Sequence, residues 1–119
     1  MPHFLIQFSY ASRSIKRLID RPDVDHAGQA SAMVGSLGGN LLGYWYSFGE
    51  FDGAALIEAP DNSVAAAVAM AIGGTGEVSR LETTVLLSMD EARAAMQKAA
   101  TATHLPAGDK AEGMNVETV

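Results

Sequence analysis

Asn40-Leu41-Leu42-Gly43-Tyr44-Trp45-Tyr46-Ser47-Phe48-Gly49-Glu50-Phe51-Asp52-Gly53-Ala54-Ala55-Leu56-Ile57-Glu58-Ala59 reads as two strands and the turn that joins them. Over residues 40–48 the side chains alternate. Leu42, Tyr44, Tyr46 and Phe48 fall on one face, and Leu41, Gly43, Trp45 and Ser47 on the other. Residues 49–53 contain two glycines and the Asp-Gly pair that favours hairpins, and 54–59 is the returning strand. A connection this short makes the two strands antiparallel neighbours. The segments on either side of the hairpin then decide the fold.

Upstream, residues 4–10 form a strand. Phe4, Ile6, Phe8 and Tyr10 make its apolar face, and His3, Leu5, Gln7 and Ser9 the other. Ser12 is the expected N-cap of a helix burying Ile15, Leu18 and Ile19, which Pro22 interrupts. A second helical stretch runs over about 24–37, with Ala27, Ala30, Met33, Val34 and Leu37 as its stripe and Gly38-Gly39 as its stop. Downstream, Pro60-Asp61-Asn62 ends the returning strand and caps a helix. Its residues Val64, Ala67, Val68, Ala71 and Ile72 follow the helical period, and Gly73-Gly74-Thr75-Gly76 closes it. Residues 78–87 form the last strand. Ser88-Met89-Asp90-Glu91 has capping-box spacing and opens a helix through Ala92, Ala95, Met96 and Ala99. The order is βαββαβ plus a C-terminal helix, an α+β ferredoxin-like sandwich over residues 1–100. A polar tail, 101–119, follows, punctuated by Pro106, Gly108 and Gly113.

Helices cover one face of such a sheet. Leu41, Trp45, Leu81, Val85 and Leu87 are expected on the other, so both faces carry large apolar groups. A bare apolar face predicts association. The expected partner is a second copy of the chain, in a dimer through the sheet face.

Composition bounds the function. Across 119 residues, 14 acids oppose 8 bases, giving a net charge of −6, which argues against a nucleic-acid partner. The absence of cysteine excludes a disulfide scaffold, a thiolate metal site and a cysteine nucleophile. No stretch has the length and apolarity of a membrane span, and no signal peptide is evident, so a cytoplasmic protein is expected.

The stretch 39–53, together with Ile57-Glu58-Ala59-Pro60-Asp61, resembles the signature of the GYD domain family. That signature is a glycine-led aromatic strand, then Gly-x-Tyr-Asp, then an apolar strand ending in Glu-Ala-Pro-Asp. The resemblance extends to the first strand, the Arg21-Pro22 break and the glycine-rich loop before the last strand, about residues 3–98. The family tyrosine is Phe51 here, so any role of that hydroxyl is lost. The resemblance implies a dimeric α+β barrel, in which two ferredoxin-like sheets face each other. That group includes cofactor-free monooxygenases, muconolactone-type isomerases, dehalogenating enzymes, haem enzymes and proteins of no known activity. Fold analogy alone assigns none of these.

The residues offer a few candidate sites. Asp52, in the hairpin, is the candidate general base; as a turn aspartate it would instead bond nearby amides. Tyr10, Tyr44, Trp45 and Tyr46 suit a flat apolar ligand, and they equally suit core or interface packing. His3, His26 and His104 lack metal-ligand spacing, so no metal is expected; His3, on the less apolar face of its strand, joins the ligand-binding candidates. No cofactor is expected either. Glu58 facing Arg80 would form a cross-strand pair, with Glu82 nearby. The glycine-rich loop 73–76 follows a helix where a phosphate cradle would precede one, so it reads as a flexible loop beside a pocket mouth. The leading reading is a protein of the GYD type that binds a small apolar or aromatic molecule. A cofactor-independent oxygenase or isomerase using Asp52 as base, and a structural oligomer with no ligand, are the alternatives.

Overall fold

A computed structural model describes residues 1–103; the expectations for His104 and for the tail beyond it lie outside the described residues. The chain divides into two compact units, Met1–Leu86 and a second beginning at Leu87. The first unit contains β1 (His3–Tyr10), α1 (Ser12–Asp20), α2 (His26–Ser36), β2 (Asn40–Tyr46), β3 (Gly53–Glu58), α3 (Asn62–Gly74) and β4 (Val78–Leu86). The strands form one antiparallel sheet in the order β2-β3-β1-β4. This is the ferredoxin-like α+β arrangement expected from the hairpin and the two crossovers.

Register explains the core. Phe4, Ile6 and Phe8 of β1 lie opposite Ile57, Ala55 and Gly53 of β3, and Phe4, Ile6, Phe8, Ala55 and Ile57 are all buried. Val34 of α2 and Ala65 and Val68 of α3 close over them. At roughly 25 cal/mol per Å², each fully buried large apolar side chain contributes about 1.5–3 kcal/mol. α2 packs on β2 and α3 on β4. Asp25 and Asp61 accept the Gly28 and Val64 N–H groups and so cap α2 and α3. Gly38 and Gly76 leave α2 and α3 with φ of 96° and 72°, where glycine alone is unstrained.

Several expectations are corrected. Leu41 is not on the face away from the helices. Pairing slips between Leu41 and Gly43, so Leu41 opposite Ile57 and Tyr44 opposite Ala55 both face the core. Leu81 likewise lies opposite Phe8 and packs against the core, and Val85 lies opposite Phe4 on that same side. The outer face instead carries Leu5, Trp45, Leu56 and Leu86 beside His3, Gln7, Glu58 and Glu82. The N-cap of α1 is Ala11, not Ser12, and makes no side-chain bond. Ser14 is the buried residue of α1, while Ile15 and Ile19 are exposed. α2 buries Val34 but leaves Ala27 and Leu37 exposed. Glu58 and Arg80 cannot pair, because β1 lies between their strands: Glu58 accepts from Asn40, and Arg80 pairs with Glu50 at 3.0 Å.

In the second unit, α4 (Met89–Ala99) opens with the expected capping box. Ser88 Oγ accepts the Glu91 N–H at 3.0 Å, and Glu91 Oε1 accepts the Ser88 N–H at 2.8 Å.

Candidate functional site

Between the helix-covered face of the sheet and helices α2 and α3 lies a cavity of about 250 Å³. Ile6, Phe8, Met33, Leu41, Val68 and Ile72 supply much of its apolar wall. Tyr10 and Tyr44 also line it, and their hydroxyls are 3.0 Å apart. The two residues come from β1 and β2, which are separated by β3 in the sheet. Phe8 holds both rings, with centroids 5.4 Å from Tyr10 and 5.8 Å from Tyr44.

Each tyrosine lies next to a break in strand pairing. Tyr44, opposite Ala55, faces the helices beyond the slip that brings Leu41 to the same side. Tyr10 sits where β1 slips against β4, pairing with Val78 while its predecessor Ser9 pairs with Arg80. At that point β3 has already ended. Asp52 continues the ladder in its place: its backbone N–H donates to the Phe8 carbonyl at 2.9 Å, and its carboxylate Oδ2 accepts the Tyr10 N–H at 2.9 Å. A strand amide that would otherwise lack a protein partner is thereby satisfied.

The electrostatics keep both phenols protonated. Burial is the largest influence raising the Tyr10 pKa, followed by its bond to Tyr44; the Asp52 charge adds a smaller push. Burial also raises Tyr44, against a lowering from its bond to Tyr10. Two hydroxyls carry two protons, and the bond between them uses one. The other is free to donate to a guest in the cavity.

A second chamber of about 320 Å³ shares Tyr10, His26, Gln29 and Glu77 with the first. Its remaining walls include Ser14, Arg17 and Arg21. Glu77 accepts from Ser14 Oγ at 2.8 Å and from Arg17 Nη2 at 2.8 and 3.1 Å. The Ser14 bond, then Arg17, holds its carboxyl below the ordinary range for glutamate. Glu77 escapes sequence reasoning, since its partners lie 60 and 63 positions away and no motif joins them.

A family model for the GYD domain matches residues 4–96. The chain belongs to the GYD domain family. No curated protein matches it. Among solved structures, the protein TTHA0845 of Thermus thermophilus aligns with a TM-score of 0.52 at 15% identity, over 74% of this chain and 95% of that one. FFRP-DM1 aligns with a TM-score of 0.51 at 14% identity, over 73% of this chain and 100% of that one. At such identities the likeness is one of fold.

The GYD hairpin has a physical role here. Ser47 Oγ donates to the Phe51 carbonyl at 2.6 Å, and the Ser47 N–H donates to the Asp52 carbonyl at 2.8 Å. Phe51, where the GYD signature has tyrosine, is buried with the Arg80 guanidinium 4.3 Å from its ring centre. The tip thus locked delivers Asp52 to β1. Of the residues singled out in sequence, Tyr10 and Tyr44 meet in the cavity. Tyr46 lies beside Tyr44, ring centres 6.0 Å apart, but is exposed. Trp45 and His3 belong to the outer face, where His3 Nε2 is 4.0 Å from Glu58. Asp52 is not among the cavity-lining residues. Among the described residues no group of three His, Asp or Glu side chains is placed to hold a metal ion. No helix among them is long and apolar enough to cross a membrane.

Proposed function

We propose that this GYD protein binds a small apolar or aromatic molecule in the cavity beneath α2 and α3. The observation that carries the reading is the hydrogen-bonded Tyr10–Tyr44 pair in a mainly apolar wall, to which His26, Gln29, Thr75 and Glu77 add the other polar groups. Pockets of this kind bury an apolar body and orient it with a few polar groups. Size limits the guest: an apolar cavity of about 150 Å³ admits benzene, so about 250 Å³ suits one substituted ring. Two neutral phenols favour a guest with a hydroxyl or carbonyl group. In this reading Asp52 is a positioning residue for Tyr10, and Tyr46 guards the rim. Trp45 and His3 belong to the assembly. Trp45, 53% exposed, and its apolar neighbours on the outer face join the sheet to that of a second copy, making a homodimer.

Native mass spectrometry of the protein as purified from cells tests both parts. The expected spectrum is a dimer with a constant extra mass that is lost in a Tyr10→Phe/Tyr44→Phe double variant. A dimer that takes up no mass, even from millimolar phenol, contradicts the ligand reading. A monomer at all concentrations contradicts the assembly.

A further inference from the structure

We infer that the guest is a monocarboxylate, with its apolar body in the first cavity and its carboxylate in the second chamber against Arg21. This rests on the ligand-binding reading above and specifies its substrate class. The two chambers share Tyr10, His26, Gln29 and Glu77 and so adjoin, and the proposed guest spans them past these four residues. Their chemistry differs. The first is walled mainly by aliphatic and aromatic side chains; the second is bounded by Arg17, Arg21, Ser14 and Glu77.

The charges of the second chamber select the guest. Arg17 is committed to Glu77, which is also bonded by Ser14 and stays ionised. The Arg21 guanidinium has no hydrogen-bond or ion-pair partner among the described residues. Its backbone is fixed, however: its N–H donates to the Arg17 carbonyl at 2.8 Å, closing α1. The guanidinium therefore hangs from an anchored position at the chamber wall. Among the arginines and acids that line the chamber, one ion pair plus one unpaired arginine leaves a single positive charge in excess. A planar monoanion meets that requirement, and the arginine fork matches a carboxylate bidentately.

The test compares 3-phenylpropanoate with 3-phenylpropan-1-ol, which have similar bodies but differ in charge. Titration calorimetry on the full chain is run for the wild type and for Arg21→Gln. Arg21 is exposed, so the variant should fold, and circular dichroism confirms that it does. The expected result is at least about tenfold tighter binding of the acid by the wild type. The preference should collapse in Arg21→Gln, with the affinity for the alcohol unchanged. Equal affinities that Arg21→Gln does not alter would overturn the carboxylate assignment and leave the ligand cavity standing. No binding of either compound would overturn both.

Discussion

The Asp52 carboxylate accepts the backbone N–H of Tyr10 at 2.9 Å, at the residue where β1 slips against β4. The hairpin tip and the cavity wall are therefore one mechanical unit. The tip holds Asp52, Asp52 holds the end of β1, and the end of β1 aims Tyr10 at Tyr44.

Removing that carboxylate should loosen the unit. Asp52→Ala leaves the Tyr10 amide without its partner and is expected to cost about 1–2 kcal/mol of stability. Asp52→Asn keeps an acceptor oxygen and should cost about 1 kcal/mol or less. Urea denaturation reads both. An Asp52→Ala variant as stable as wild type would show that the bond supports nothing.

The phenol pair should behave as a pair. Tyr10→Phe and Tyr44→Phe are each expected to cost about 1 kcal/mol, because each strips the other hydroxyl of its partner. The double variant should cost less than the sum by about 0.5–1 kcal/mol. Strict additivity would mean that the hydroxyls are not coupled.

Alkaline pH should expose the same site. The folded state holds Tyr10 and Tyr44 above the ordinary tyrosine pKa. In the unfolded chain both titrate near pH 10. Above that pH the unfolded state binds fewer protons than the folded state, so stability falls as pH rises. Stability is full below about pH 10 and declines above it. Ultraviolet titration of the folded protein, compared with the Tyr10→Phe/Tyr44→Phe double variant, should show Tyr10 and Tyr44 ionising late. Tyr10 and Tyr44 ionising near the ordinary value would contradict the buried pair.

Much of this architecture was legible in the residues. The alternation of β1, the helical period of α3 and the Ser88–Glu91 box translate directly into structure, because each is a local pattern matched by local geometry. The errors lie where tertiary contacts override alternation. Gly43 gives no sign of a slip in pairing, yet that slip moves Leu41 to the core. The sequence reads as a strand to Phe48 and a turn over residues 49–53, but the loop between the strands runs over residues 47–52. Gly53 is instead required because a Cβ there would stand 2.6 Å from the Phe8 ring. Glu77 was illegible for a simpler reason: its meaning comes from Ser14 and Arg17, far away in the chain. Tyr10 and Tyr44 are visible as aromatics on strands, but that these two meet depends on a strand order that leaves β3 between them and on the small Ala55 opposite Tyr44.

Trp45 offers a direct probe of assembly, since it is the only tryptophan and lies half-exposed on the outer face. In the proposed dimer it leaves water, so its fluorescence should shift to the blue as concentration rises. Trp45→Lys should shift sedimentation to the monomer, because an unpaired charge buried at an interface is costly. A Trp45→Lys protein that remains dimeric would place the interface elsewhere.

In the proposed complex the guest enters beneath α2 and α3, and not between sheets. Methyl-labelled nuclear magnetic resonance, with phenol as the probe, separates the two places. Saturable shifts are predicted at Ile6, Val34, Ile57 and Val68, which line the cavity, with little change at Leu5 and Leu56 on the outer face. Shifts confined to Leu5 and Leu56, or none at any of these methyls, would contradict it.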